Sequence, residues 1–315
     1  MEFLLINHPL DCPICDEAGQ CKLQEYSFKH SSGVSRFTDM KNRAEKRQSW
    51  GPNVLFDAER CITCSRCIRF AQEIAKQDVL TFVQRGDHVT IKVAEGEMFD
   101  NPYSMNVIDI CPVGALTSKD FRFKSRVWDM AFNDSICPGC SRGCNIKVGV
   151  RNNEILRLEP KANPYVNKFW MCDYGRLTQY DKYNLNRVTE PMIRQNDKQI
   201  TATWDEALKN AAEKLAGFKN HEIMVIGSAY SSNEDNYVLS NFAKKVLKTK
   251  NIDFLEWKDE IFKDDLLKTD DRMPNSAGIK LFGISPDAHS VSLNNLANKI
   301  KIGEIKVVYT LEDDF

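Results

Sequence analysis

No run in this chain approaches the roughly 18 to 20 consecutive apolar residues of a membrane-spanning helix. The opening Phe3-Leu4-Leu5-Ile6 is short and lacks a basic lead. It is therefore no secretory signal, and the chain is expected to stay where it is made, among reduced thiols. Net charge is nearly absent: 43 basic against 44 acidic residues leave -1, so no global field favours nucleic acid or an anionic membrane. The basic stretch Lys41 to Arg47 is read as a solvated helix face. No Gly-x-Gly-x-x-Gly follows a strand-like run, and there is no phosphate-binding loop and no nucleophile elbow. Gly227-Ser228 reads as a plain strand-to-helix turn. His30, His88, His221 and His289 have no motif around them, and no repeat or low-complexity run is present. Cysteine, finally, is missing from the last 143 residues, since all eleven lie before residue 173. That asymmetry is the clearest domain signal in the chain.

What is there is concentrated in those eleven thiols. They fall into three sets: His8-x3-Cys12-x2-Cys15-x5-Cys21, then Cys61-x2-Cys64-x2-Cys67 with Cys111-Pro112, then Cys137-x2-Cys140-x3-Cys144 with Cys172. Three thiolates at x2 spacing reach three corners of one four-iron cubane, and a distant Cys-Pro supplies the fourth. Zinc ribbons do not need that third thiol, so Cys61, Cys64, Cys67 and Cys111 point to a 4Fe-4S cluster. Cys137, Cys140, Cys144 and Cys172 suit either a 4Fe-4S cluster or a four-thiolate zinc site. The first set has only three cysteines. His8, four residues before Cys12, would share a helix face with it and complete either a histidine-ligated 4Fe-4S cluster or a Cys3His zinc site. Replacing a thiolate with a neutral imidazole makes a cluster one formal charge less negative and should raise its potential. Arg60, Arg66 and Arg69 flank the second set and would stabilise a reduced cluster if they point inward. With reduced thiols expected, a disulfide framework is the weaker reading.

Around these ligands the pattern changes along the chain. Residues 1 to about 45 look mostly helical. Trp50-Gly51-Pro52 breaks the chain before a helix over Ile68 to Lys76 and strands near Leu80 to Val83 and Val89 to Val93. Asn145 to Val150 alternates like a strand, Arg151 to Glu154 turns, and Ile155 to Leu158 returns as a hairpin. From about residue 200 the pattern is α/β. Thr203 caps a helix with Glu206 three residues on, Ile223 to Ser228 suits a buried strand, Glu234 to Leu247 a helix, and Ile305 to Tyr309 another strand. Strand, helix, strand argues for an open, largely parallel sheet.

His8-Pro9-Leu10-Asp11-Cys12-Pro13-Ile14-Cys15 with Gly19-Gln20-Cys21, and Asp109-Ile110-Cys111-Pro112-Val113-Gly114-Ala115-Leu116-Thr117, resemble the large iron-sulfur subunit of respiratory complex I, the G subunit of bacterial NADH:quinone oxidoreductase. Arg126-Val127-Trp128 and Pro274-Asn275 fit the same pattern. The resemblance runs over nearly the whole chain. It implies that His8, Cys12, Cys15 and Cys21 hold the histidine-ligated cluster of an electron wire, and that Cys61, Cys64, Cys67 and Cys111 hold the cluster feeding it. Cys137, Cys140, Cys144 and Cys172 would hold an additional cluster, off the wire, that helps hold the fold. The α/β part is similar to molybdopterin-dependent formate dehydrogenases, but carries no pterin in this family. Family members begin with a two-iron ferredoxin domain, which this chain lacks before Cys12, and their α/β domain is much longer.

The fold expected is α+β: a helical His/Cys segment (1–45), a ferredoxin-like 4Fe-4S domain (46–130), a small β-rich 4Fe-4S domain (131–190), and the start of an α/β molybdopterin-oxidoreductase-like domain (191–315). The cofactors expected are three 4Fe-4S clusters, with no flavin and no molybdopterin. The partners implied are other subunits of the complex I peripheral arm, a flavin-bearing NADH subunit and quinone-side iron-sulfur subunits, with no nucleic acid and no direct membrane span. The place implied is the cytoplasmic face of the bacterial inner membrane, reached through the complex. Single-electron relay is the function expected. Its rivals are a formate dehydrogenase alpha subunit, a diaphorase subunit of a soluble hydrogenase, and a zinc-stabilised scaffold. The formate dehydrogenases place a lysine two residues after the last cluster cysteine, where this chain has Tyr174.

Overall fold

The computed structural model describes residues 1–184, 187–286 and 290–312; His289 lies outside the described residues. The chain divides into two compact units. The first comprises residues 1–137 and 144–184, the second residues 138–143 and those beyond 184.

The first unit opens with little regular structure. Helices cover Glu2–Leu5 and Lys22–His30, with one 3-10 turn at Cys12–Ile14, and residues 31–47 form no helix. Pro9 explains part of the departure from a helical reading. It biases His8 away from the α region and donates no backbone hydrogen bond, so the first helix ends before His8. The Lys41 to Arg47 stretch is likewise not a helix face. Lys41 Nζ donates to the carbonyls of Leu5 (3.1 Å) and His8 (2.6 Å), tying the two segments together.

Short strands follow: β1 (Gln48–Ser49), β2 (Val54–Phe56), β3 (Leu80–Val83), β4 (Thr90–Val93) and β5 (Leu116–Ser118). β1, β2 and β5 make one antiparallel sheet, and β3 and β4 a hairpin. The Trp50-Gly51-Pro52 break is a packing device. Trp50 stacks on Phe56 at 4.4 Å, and a Cβ on Gly51 would stand 2.2 Å from the Phe99 carbonyl oxygen. The Arg66–Arg69 helix continues as a π-turn over Phe70–Ile74. A third sheet, β6 (Ala131–Ile136), β7 (Asn145–Arg151) and β8 (Glu154–Pro160), is antiparallel throughout. Its tight turn places Asn152 and Asn153 at φ 51° and 62°, the left-handed values a two-residue hairpin loop needs and asparagine tolerates.

The second unit carries the antiparallel hairpin β9 (Met192–Gln195) and β10 (Lys198–Thr201), and a parallel sheet. In that sheet β11 (Ile223–Gly227) lies between β12 (Ile252–Phe254) and β13 (Val307–Thr310). Every residue of β11 is buried. Its alternating side chains feed two cores: Ile223 and Val225 pack with Leu239, Ala243, Ile279 and Ile284, while Met224 and Ile226 pack with Val291 and Ile305. A sheet covered on both faces is why the strand reads as a continuous apolar run.

Candidate metal centres

The first set converges. His8, Cys12, Cys15 and Cys21 line one cavity together with Asp11, Ala18, Gln24, Arg60 and Gly114. They do so without the shared helix face expected of His8 and Cys12, because residues 6–11 are irregular. The loop is held from outside by Arg126, whose guanidinium donates to the carbonyls of Cys15 (2.6 Å) and Pro13. Gly19 adopts φ +87°, and a Cβ there would meet Val127 at 2.6 Å and Trp128 at 2.9 Å. The Arg126-Val127-Trp128 motif is thus the clamp on this loop.

The His8 ring fits the role of a ligand. Its Nδ1 is buried with no hydrogen-bond partner. Burial first, then the nearby charges of Lys41 and Arg60, hold its pKa below the usual histidine value. The ring is therefore neutral at pH 7, the form that donates a lone pair to a metal. Burial also raises the thiols of Cys15 and Cys21. The cavity edge is charged. Arg60 is 3% exposed, and donates to Asp11 Oδ2 from Nε (3.0 Å), with Nη2 2.9 Å from the same oxygen. Lys46 reaches Asp11 and Glu59 at 2.8 Å each and Asp57 at 3.2 Å. Burial alone would raise the Asp11 carboxyl, but hydrogen bonds from Lys46 and Arg60 hold it below its ordinary value.

The second set converges too. Cys61, Cys64, Cys67 and Cys111 line a second cavity, otherwise walled mainly by Phe56, Ile62, Ile91, Val113 and Leu116. The loop wraps by placing Thr63 and Ser65 in the left-handed region, at φ 55° and 63°. For a β-branched threonine that is a genuine outlier, stored where three thiols must point at one volume. Burial pushes the Cys61 thiol up to about 11 and the Cys67 and Cys111 thiols to about 12. Arg66 lines this cavity and Arg69 pairs with Glu73 at 3.1 Å, but both are exposed. Thiols in such apolar walls become thiolates only when a bound metal stabilises their charge.

The two cavities share a wall. Cys111, Pro112 and Val113 line the second while Gly114 lines the first. Cys21 Sγ lies 3.9 Å from the Pro112 carbonyl oxygen, and a Cβ on Gly114 would stand 2.0 Å from Cys15 Sγ. Four consecutive residues therefore separate the two donor sets. None of the seven cysteines involved forms a disulfide.

Of the third set, Cys137, Cys144 and Cys172 belong to the first unit, and Cys140 lies on the 138–143 segment of the second. The Cys137 amide donates to the Cys144 carbonyl at 2.8 Å, continuing the β6–β7 ladder. The Sγ atoms of Cys137 and Cys172 lie 2.9 and 3.4 Å from where a Gly175 Cβ would sit. Cys172 also caps the Asp173–Leu177 helix, its sulfur accepting from the Gly175 amide at 3.3 Å. That helix is joined to the second set. Arg176 donates to both Asp109 oxygens (3.1 and 2.5 Å), and the Asn106 side chain exchanges hydrogen bonds with the Met171 backbone (2.8 and 3.0 Å). Sequence reasoning missed this joint and the Arg60–Asp11 pair. Their only signal was charge and amide residues within a few positions of cysteines.

Across the described residues, no three His, Cys, Asp or Glu side chains crowd round a single metal ion. The donors of the first two sets instead ring cavities with empty volumes of about 270 and 320 Å³, partly open to solvent.

Four family models match in chain order. Residues 1–36 match the NADH-ubiquinone oxidoreductase-G iron-sulfur binding region, and 51–117 the ferredoxin-like domain of NADH-quinone oxidoreductase subunit 3. Residues 130–180 match the molybdopterin oxidoreductase Fe4S4 domain, and 187–309 molybdopterin oxidoreductase. The NADH-quinone oxidoreductase G subunit of Rickettsia conorii is 41% identical over 78% of this chain and 36% of its own length. The chain belongs to the G-subunit family of NADH-quinone oxidoreductases. The Streptomyces coelicolor G subunit is 39% identical over 81% of the chain and 30% of its own length. A mitochondrial NADH dehydrogenase iron-sulfur protein 1 from Solanum tuberosum is 40% identical over 78% and 33%. The chain thus spans about a third of the length of these relatives. A solved NAD+-reducing nickel–iron hydrogenase chain shares 27% identity at a TM-score of 0.35, over 40% of this chain and 55% of that chain. The fold is mixed, with ferredoxin-like and Fe4S4 domains ahead of a molybdopterin-oxidoreductase-like domain. No helix among the described residues is long and apolar enough to cross a membrane.

Proposed function

We propose that this chain relays single electrons between 4Fe-4S clusters within an NADH:quinone oxidoreductase. In this reading His8, Cys12, Cys15 and Cys21 hold one cluster, Cys61, Cys64, Cys67 and Cys111 a second, and Cys137, Cys140, Cys144 and Cys172 a third. The clusters supply the redox chemistry. The chain supplies ligands, dry walls, spacing and charge. Donors that ring a cavity suit a polynuclear core better than mononuclear zinc, whose four ligands all lie within about 2.3 Å of one ion. The observation that carries the relay is the shared wall: Cys111 to Gly114 serves both of the first two cavities. The domains proposed are 1–45, 46–130, 131–190 and 191–315. The partners are a flavin-bearing NADH-oxidising subunit on one side and quinone-side iron-sulfur subunits on the other. The chain would sit at the cytoplasmic face of the bacterial inner membrane, held there by the complex.

Cys64→Ala in the assembled complex tests this. Quinone reduction by NADH is expected to be lost while NADH oxidation by an artificial acceptor at the flavin subunit persists. Sustained quinone reduction would sink the relay. Iron and acid-labile sulfide analysis of anaerobically purified protein tests the clusters separately, zinc without sulfide being the contrary result.

A further inference from the structure

We propose that Arg60 raises the reduction potential of the cluster held by His8, Cys12, Cys15 and Cys21; the inference rests on the cluster assignment above. Of the three arginines around the second set, Arg66 and Arg69 are exposed, whereas Arg60 is 3% exposed. Although it precedes Cys61, a ligand of the second set, its side chain lines the cavity of the first. Its fixed positive charge is therefore delivered to the neighbouring site rather than to its own.

The guanidinium is held on three sides. Nε (3.0 Å) and Nη2 (2.9 Å) reach Asp11 Oδ2, and Nη1 reaches the Gly114 carbonyl at 3.5 Å. Asp57 Oδ2 lies 3.5 Å from Nε. Of five guanidinium N–H groups, two remain beyond these bonds. Gly114 is itself packed against Cys15 Sγ, so the guanidinium stands one carbonyl away from a ligand sulfur. Reduction adds one electron to a cluster in a poorly hydrated cavity. A nearby cation, or an N–H donated to a sulfur, stabilises that added charge more than it stabilises the oxidised state.

The counter-charges decide the sign. Lys46, Asp57 and Glu59 complete the network but do not line the cavity. The lining carries one permanent cation, Arg60, and one carboxylate close to it, Asp11. Opposite charges at the same edge predict opposite shifts. A merely structural salt bridge predicts the same loss from either side.

The test is a redox titration of the purified complex, following the first cluster by electron paramagnetic resonance in the parent and in Arg60→Gln, Arg60→Lys and Asp11→Asn. Arg60→Gln is expected to lower the potential, cutting the reduced-to-oxidised ratio at fixed ambient potential about tenfold, which is 59 mV for a one-electron couple. Arg60→Lys, which keeps the charge, should shift it much less, and Asp11→Asn should raise it. The second cluster should move less in each. An unshifted Arg60→Gln protein, or Arg60→Gln and Asp11→Asn shifting in the same direction, overturns the inference and leaves the cluster assignment standing. If Arg60→Gln does not assemble, the signs from Arg60→Lys and Asp11→Asn decide alone. Absence of a first-cluster signal in the parent complex overturns the assignment itself.

Discussion

Adding one methyl group at Gly114 should destroy the first metal centre and spare the fold around it. The Cβ of an alanine would stand 2.0 Å from Cys15 Sγ and 3.0 Å from Glu17 Cβ. Non-bonded carbon contacts settle at about 3.5 to 4.0 Å, so Cys15 or the Gly114 backbone must retreat by roughly 1.5 to 2 Å. Overpacking of that size costs about 1 to 3 kcal/mol, which a folded unit survives. A ligand set does not survive it, because metal geometry tolerates displacements of only about 0.5 Å. Retreat of Gly114 would also pull on Val113, whose carbonyl lies 2.9 Å from Cys111 Sγ, so the second site should be disturbed but not emptied. The assay is iron and sulfide content per chain after anaerobic purification, with a urea melt beside it. Gly114→Ala should lose about one cluster's worth of iron and sulfide. The comparison is Gly217→Ala, whose added methyl meets only the Lys214 carbonyl at 3.4 Å and should leave both quantities unchanged. Full cluster content in Gly114→Ala would refute the close approach and the shared wall drawn from it.

Two further outcomes concern the rest of the chain. Thr203 and Glu206 close a capping box on the Trp204–Ala216 helix, which buries no residue, so Thr203→Ala should weaken that helix by about 1 kcal/mol, read as faster amide exchange confined to its first turn; unchanged exchange would show that the cap contributes nothing. Glu159 is raised above the ordinary carboxylate value, chiefly by burial, with Arg157 opposing. Its protonated form therefore favours the folded state, a contribution present below the unfolded pKa and lost as pH rises through the folded one. Glu159→Gln should flatten the fall in urea stability between about pH 5 and 8, and an unaltered slope would contradict it.

The ligands were legible because metal chemistry fixes residue type and spacing together. Cys61 to Cys67 with Cys111-Pro112 needs no fold to be read. The β7–β8 hairpin and the capped helix were legible for local reasons, a period-2 alternation with asparagines at the turn and Thr203 three residues before Glu206. The helix placed through His8 failed because a spacing of four was read without weighing Pro9, which competes against the α region at His8. β6 was missed for another reason: its residues are exposed throughout, so no buried face imprinted a pattern on Ala131–Ile136. Charge was the least legible. Arg60 sits among three arginines of equal standing in sequence, and only its burial against Asp11 separates it from Arg66 and Arg69.

The first 47 residues show why ligands outrank hydrophobic burial at this end of the chain. The fully buried apolar side chains among them are Cys15, Ala18, Cys21 and Leu23, two of which are ligands. Phe3, Leu10, Phe28 and Met40 are each more than four-fifths exposed. Leu23 burial contributes about 1.5 to 3 kcal/mol by itself, whereas ordering each backbone residue costs about 1 to 2 kcal/mol. Hydrogen bonds from Arg126, Lys41 and Lys46 hold the segment in place, but each contributes only a few kcal/mol at most. The term large enough to order such a segment is ligation, which for structural metal sites reaches about 10 to 16 kcal/mol. The loop around His8 is therefore shaped by what its donors bind, and the sparse core beneath it is the consequence.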